Sequence, residues 1–175
     1  MTVDTTHPGL DENLSYDGRG MSVGVVISMF NSVITKPLYD GAILELTSLG
    51  VDSNHIVTAW APGAFELPIV AQTLLIDSGC DAVICLGCVI RGETPHFDYI
   101  CQAASIGIQE VALKHGRPVI FGVLTTNNIE EARERIGGKN GHKGRDAARA
   151  AVATVNSMKK LAPGERPMKR GSVSL

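Results

Sequence analysis

The sequence predicts an α/β protein: a three-layer α/β/α sandwich built on a four-stranded parallel sheet. Three observations lead there. Four runs are apolar at nearly every position, each of the first three is followed by a segment with apolar residues at helical spacing, and glycine stands where those helices should stop. A strand that is apolar throughout is buried on both faces, as in a parallel sheet covered by helices on either side.

The first strand is read over residues 22–30 (SVGVVISMF), followed by a helix over 34–49 that stops at Gly50. The second strand, 55–61 (HIVTAWA), precedes a helix over 65–76 that ends before Gly79, and the third, 81–90 (DAVICLGCVI), precedes one over 97–113 that ends before Gly116. Residues 118–124 (PVIFGVL) make the fourth strand. Beyond it Asn128 can cap a helix with Glu130 and Glu131 in its first turn and Arg133 and Arg135 later, the charge order the helix dipole favours. That helix should end near Gly137 and Gly138, and an alanine-rich one over 146–161 closes the domain. The strand order expected is the flavodoxin-like one. Residues 21–161 form one domain, 1–20 an irregular N-terminal arm, and 162–175 a flexible tail rich in Gly, Pro and charge.

Composition narrows the function. The 16 Lys and Arg against 18 Asp and Glu leave a formal net charge of -2, which argues against broad binding to nucleic-acid backbones. No apolar run approaches the roughly 18 residues of a membrane span, and the first twenty residues lack the regions of a signal peptide, so a cytoplasmic protein is expected. Four cysteines do not make a disulfide scaffold. Cys85 and Cys88 form a CxxC, but inside a strand residues three apart face opposite ways, which disfavours zinc or thiol redox chemistry and leaves them as small buried hydrophobes.

Ligands of open α/β sheets sit beyond the carboxyl ends of the strands. Four patches fall there: Phe30-Asn31, residues 61–66 (APGAFE), residues 91–96 (RGETPH), and Phe121 with the loop beyond it. Their aromatic faces, amide, carboxylate, hydroxyl and imidazole suit a flat polar heterocycle bearing hydroxyls. Gly18 and Gly20 precede the first strand and Gly24 lies within it, none follows it, and their spacing is wrong for a dinucleotide fingerprint, while GGKNGHKG at 137–144 fails the Walker spacing. That segment and its flank do supply Arg135, Lys139 and Lys143, either an anion site or solvated surface charge; the residues alone support both equally. His96 in its polar strand-end cluster is either a proton-transfer group or an ordinary surface histidine, with Asp98 as helix N-terminal charge. His7, His55, His115 and His142 have no comparable setting.

Taken together, FN at 30–31, APGAFELP at 61–68, GCVIRGETPHFDYIC at 87–101 and FGVLTTNNIEEARERIGGKNGHKG at 121–144 make the chain resemble the 6,7-dimethyl-8-ribityllumazine synthase family of riboflavin biosynthesis, over roughly residues 20–161. The resemblance implies condensation of 5-amino-6-(D-ribitylamino)uracil with 3,4-dihydroxy-2-butanone 4-phosphate, without metal or organic cofactor. It implies that Phe30 stacks on the pyrimidine, that Asn31, Ala64, Phe65 and Glu66 hold the ribityl chain, and that Val89 and Ile90 line the ring pocket. Arg135 would bind the phosphate with Gly92, Glu93 and Thr94, and His96 would shuttle protons.

The resemblance further implies sites between subunits, with Phe121, Arg135 and Lys143 supplied by the adjacent chain, and an N-terminal segment that adds to a neighbour's sheet. It implies a pentamer, and the short GGKNGHKG turn resembles members whose pentamers assemble into an icosahedral shell, with riboflavin synthase as candidate cargo. Departures from the family pattern are few: Met29 before FN, and His142 where asparagine is usual. A carrier or container without turnover is the rival reading, against which the presence of both His96 and Arg135 argues. A flavodoxin-like electron carrier or receiver domain shares the architecture but does not account for the basic cluster.

Overall fold

The computed structural model describes residues 13–162. In chain order the elements are β1 (Val23–Ser28), α1 (Ser32–Ser48), β2 (Ile56–Ala61), α2 (Leu67–Asp77), β3 (Ala82–Ile90), α3 (His96–His115), β4 (Val119–Thr126), α4 (Ile129–Arg133), β5 (Ile136–Gly138), β6 (Gly141–His142) and α5 (Lys143–Leu161). The main sheet is parallel with the order β2-β1-β3-β4, as a doubly wound architecture requires. Among the described residues, no helix is long and apolar enough to cross a membrane.

The apolar strands are the cause of the three layers. Val25, Ile27, Ile84 and Leu86 point to one face, where they pack with Ile34 and Leu38 of α1 and Ala148 and Val152 of α5. Val26, Val83 and Cys85 point to the other, against Leu67 and Ala71 of α2 and Ala104 and Ile108 of α3. Each buried Leu or Ile stabilises by about 1.5 to 3 kcal/mol. The CxxC is split between the two cores, Cys85 on the α2/α3 side and Cys88 on the α1/α5 side. Burial pushes both thiols up, that of Cys88 to about 11, so neither is a ready thiolate.

Boundaries differ from the sequence reading where turns take over. β1 ends at Ser28 because Asn31 adopts a left-handed conformation (φ 58°) that turns the chain into α1. Residues 64–66 form a 3₁₀ turn, so α2 starts at Leu67. β4 extends to Thr126 because Thr125 and Thr126 still pair with Val89 and Ile90.

The largest correction lies after Asn128. The cap forms as expected, with Asn128 Oδ1 accepting from Glu131 N at 2.8 Å, but α4 is five residues long and does not reach Gly137. Glu134 O accepts from Asn140 N at 3.0 Å and Ile136 pairs with His142, so the glycines fold the chain back on itself. Gly137 needs φ 116°, and a Cβ on Gly138 would come within 2.7 Å of Glu134 Cα. α5 starts at Lys143, three residues earlier than predicted, because Gly144 sits directly on the Leu38 carbonyl of α1, where a Cβ would collide. The His142 ring lies in the same seam over Gly41 of α1, whose Cβ would also collide with it, and His142 Nδ1 is buried without a partner among the described residues.

Residues 13–20 lie on the domain: Asn156 Nδ2 donates to Ser15 O at 2.9 Å and Asp17 O at 3.0 Å, and Gly18 N donates to Leu49 O at 2.8 Å. Residues 1–12 and 163–175 are outside the described residues. The expected sheet addition by the N-terminal arm, most of the expected tail, and His7 fall there.

Candidate active site

Three loops meet at the carboxyl edge of the sheet. In the β1–α1 loop, Met29 N donates to Ala61 O at 2.8 Å and Phe30 N to Pro62 O at 3.1 Å, so it lies against the end of β2. Asn31 Nδ2 donates to Cys88 O at 2.9 Å, tying the same loop to β3. A non-glycine residue in the left-handed region costs on the order of 1 kcal/mol, and the side-chain bond holds it there. Its Oδ1 is left to accept from a ligand.

Phe30 is 71% exposed and Phe65 58% exposed. Two bare aromatic rings at a strand end mark a surface that a flat ring can cover. Ala64 is buried beside them, and Glu66 Oε2 accepts from Gly63 N at 2.9 Å. That bond fixes the carboxylate and leaves Oε1 for a hydroxyl donor. Val89 and Ile90, half-buried at the end of β3, turn to opposite faces of the sheet, Val89 toward α2 and α3 and Ile90 toward α1 and α5.

The β3–α3 loop is exposed from Arg91 to His96. The amides of Gly92, Glu93 and Thr94 have no acceptor among the described residues and lead into the start of α3. Open amides beside a helix N-terminus favour an anion. His96 is the first residue of α3 and not a loop residue as the sequence suggested; the helix begins one residue early because Pro95 supplies its starting φ of -62°. The sequence reading missed the pairing of Arg91 with Asp98, whose signal is a basic and an acidic residue flanking a short polar loop. Arg91 Nη2 donates to Asp98 Oδ1 at 2.8 Å, and the guanidinium lies 4.1 Å from the centroid of the Phe97 ring.

The remaining predicted residues lie elsewhere. Phe121 was expected just beyond a strand end, but it sits mid-strand on the sheet edge, in register with Cys85. It is five residues short of Thr126, about 16 Å along the strand, and 42% exposed. Arg135 and Lys143 adjoin one another through Lys143 N donating to Arg135 O at 2.8 Å, but on the α1/α5 side. Lys139 pairs with Glu134 and Lys143 with Asp146, each at 2.7 Å. The Arg135 guanidinium donates to the Glu131 carbonyl at 2.7 Å and makes no close ion pair with a carboxylate among the described residues. Two grooves of about 500 and 480 Å³ run along α5, away from the strand ends. Within one chain the strand-end loops therefore form an open surface, and Arg135 and Lys143 stand apart from it. Among the described residues no group of three or more His, Cys, Asp or Glu side chains could hold a metal ion.

A family model described as 6,7-dimethyl-8-ribityllumazine synthase matches residues 20–159. The chain is 52% identical over 148 residues to the 6,7-dimethyl-8-ribityllumazine synthase of Cytophaga hutchinsonii, covering 81% of this chain and 93% of that one. It is 48% identical over 139 residues to the enzyme of the same name from Coxiella burnetii, covering 79% and 92%. The open aromatic half-pocket and the histidine at the start of α3 thus lie inside the matched region, and the chain belongs to the 6,7-dimethyl-8-ribityllumazine synthase family.

Proposed function

We propose that the chain condenses 5-amino-6-(D-ribitylamino)uracil with 3,4-dihydroxy-2-butanone 4-phosphate, yielding 6,7-dimethyl-8-ribityllumazine, phosphate and water in the penultimate step of riboflavin biosynthesis, and that a second subunit completes each site. The single observation that carries this reading is the open half-pocket of a chain in this family: Phe30, Phe65 and Glu66 beside His96 and three unpaired amides. The pyrimidine stacks on Phe30 over Val89 and Ile90. Asn31, Ala64, Phe65 and Glu66 hold the ribityl hydroxyls.

The substrate's own amine is the nucleophile, so the protein supplies position and protons. Holding two reactants in a reactive pose is worth about 7 to 11 kcal/mol in favourable cases. His96 takes and returns protons during imine formation, phosphate elimination and ring closure, a role worth about 10² to 10⁴ in rate. The phosphate rests on the amides of Gly92, Glu93 and Thr94 and on Arg135.

Phe121, Arg135 and Lys143 face away from this half-pocket, so they serve a neighbour's site. A contact joining one patch to a different patch closes into a ring, here a pentamer. The short hairpin of β5 and β6 leaves room for pentamers to join into an icosahedral shell. The protein works in the cytoplasm, with riboflavin synthase as the candidate cargo.

The test follows lumazine absorbance and phosphate release together. Wild type should release both, and His96→Ala and Arg135→Ala should each be nearly inactive. Subunits of the two variants, unfolded, mixed equally and reassembled, should regain about a quarter of wild-type activity if neighbours share sites at random. No product above the uncatalysed background overturns the reaction; no recovery on mixing overturns the shared site.

A further inference from the structure

The β3–α3 loop has little in its own chain to hold it. Residues 92–96 are exposed, a Cβ on Gly92 would meet nothing within 4 Å, and no side chain between 92 and 96 makes a hydrogen bond among the described residues. The loop is nevertheless closed at both ends. Arg91 N donates to Thr126 O at 2.9 Å, so the β3–β4 ladder continues one residue past the strand and fixes the Arg91 backbone. Its guanidinium then spans the loop to the first turn of α3, donating to both Asp98 oxygens, at 2.8 and 3.3 Å, over the face of Phe97.

We propose that Arg91 and Asp98 are positioning residues, a clamp that sets where His96 and the amides of residues 92–94 stand; this rests on the reading of His96 and those amides as the reacting and phosphate-facing groups. Two features of the geometry make the pair more than a surface ion pair. A two-pronged guanidinium–carboxylate contact backed by an aromatic ring fixes direction as well as distance, which a single ammonium contact does not. The pair also cancels a carboxylate two residues from His96, where a free negative charge would repel the phosphate of the substrate. The clamp touches neither substrate, so its loss should act through placement of the loop.

The experiment compares the assembled wild type with Arg91→Ala, Asp98→Asn, Arg91→Lys and the double variant Arg91→Ala/Asp98→Asn. Two readouts are taken: kcat and KM for each substrate, and amide hydrogen exchange at Asp98 and Tyr99, whose N–H groups donate to Pro95 O. Arg91→Ala should lower kcat about five- to tenfold and raise KM for the phosphate substrate, with KM for the pyrimidine within about twofold; Arg91→Lys should recover part of the loss. Because the two residues act as one unit, the double variant should be no worse than the worse single one. Exchange at the first turn of α3 should quicken while the strand amides stay protected.

The clamp is overturned if the single variants stay within about twofold of wild type in kcat and exchange alike, or if the losses simply multiply in the double variant. If Arg91→Ala does not assemble, Asp98→Asn carries the test, since it removes the charge and keeps the shape. Hydrogen exchange needs no turnover, so a wild type that makes no lumazine overturns the assigned reaction while exchange still decides whether the clamp holds the loop.

Discussion

Two polar, glycine-containing segments of the chain are held in opposite ways. The hairpin at 134–143 is fastened to its own chain throughout: Asn140 and Lys139 on Glu134, Lys143 N on Arg135 O, Lys143 on Asp146, and the His142 ring in the seam over Gly41. The loop at 91–96 is fastened at its two ends, with open space between. A segment packed against its own core keeps its shape without a ligand, whereas the loop leaves its polar groups open, as the proposed reaction needs. The contrast teaches that damage to the hairpin should appear first as lost stability, and damage to the loop as lost turnover.

The sharpest test of that contrast is His96→Ala, which should lower kcat about 10² to 10⁴-fold while shifting the urea midpoint little. An equal loss of stability would mean that the exposed histidine has a structural duty. Gly144→Ala is the complementary change. It forces a methyl into the Leu38 carbonyl and should destabilise by about 2 to 4 kcal/mol, read from chemical denaturation. Unchanged stability would show that the α1/α5 seam can open.

Alkaline pH probes the core between these regions. Burial raises the Cys88 thiol from 9.0 to about 11, so the unfolded chain loses that proton first. The stability it contributes is whole below pH 9.0 and is lost by about pH 11, and Cys88→Ala should flatten this fall in the denaturation midpoint. The smallest effect belongs to Gly92→Ala, where the added methyl meets nothing and stability should stay within about 0.5 kcal/mol. A loss as large as that of Gly144→Ala would erase the distinction between loop and hairpin.

Much of this was legible in the sequence because each signal was local. Four apolar runs gave the strands, and Gly50, Gly79 and Gly116 all adopt the positive φ that ends the helices before them. The placement of Phe30, Glu66 and His96 after β1, β2 and β3 followed from strand ends alone. What escaped depends on which residues the fold pairs across a turn or between strands. The glycines at 137 and 138 read as a helix stop, yet they make a turn because residue 136 finds its partner at 142. Phe121 reads as part of a strand-end patch, yet the β3–β4 register sets it at mid-strand. The Arg91–Asp98 pair is visible as two letters seven apart but acquires meaning once α3 begins between them.

The contact between Gly41 and His142 also sets the order in which the chain can change. While the imidazole lies over α1, any side chain at 41 collides with it, although alanine is the better helix former there by about 1 kcal/mol. If position 142 first becomes smaller, the same glycine-to-alanine step turns from harmful to helpful. The two sites should therefore vary as a pair along a lineage, with 142 moving before 41, and a library that diversifies α1 alone will find position 41 closed.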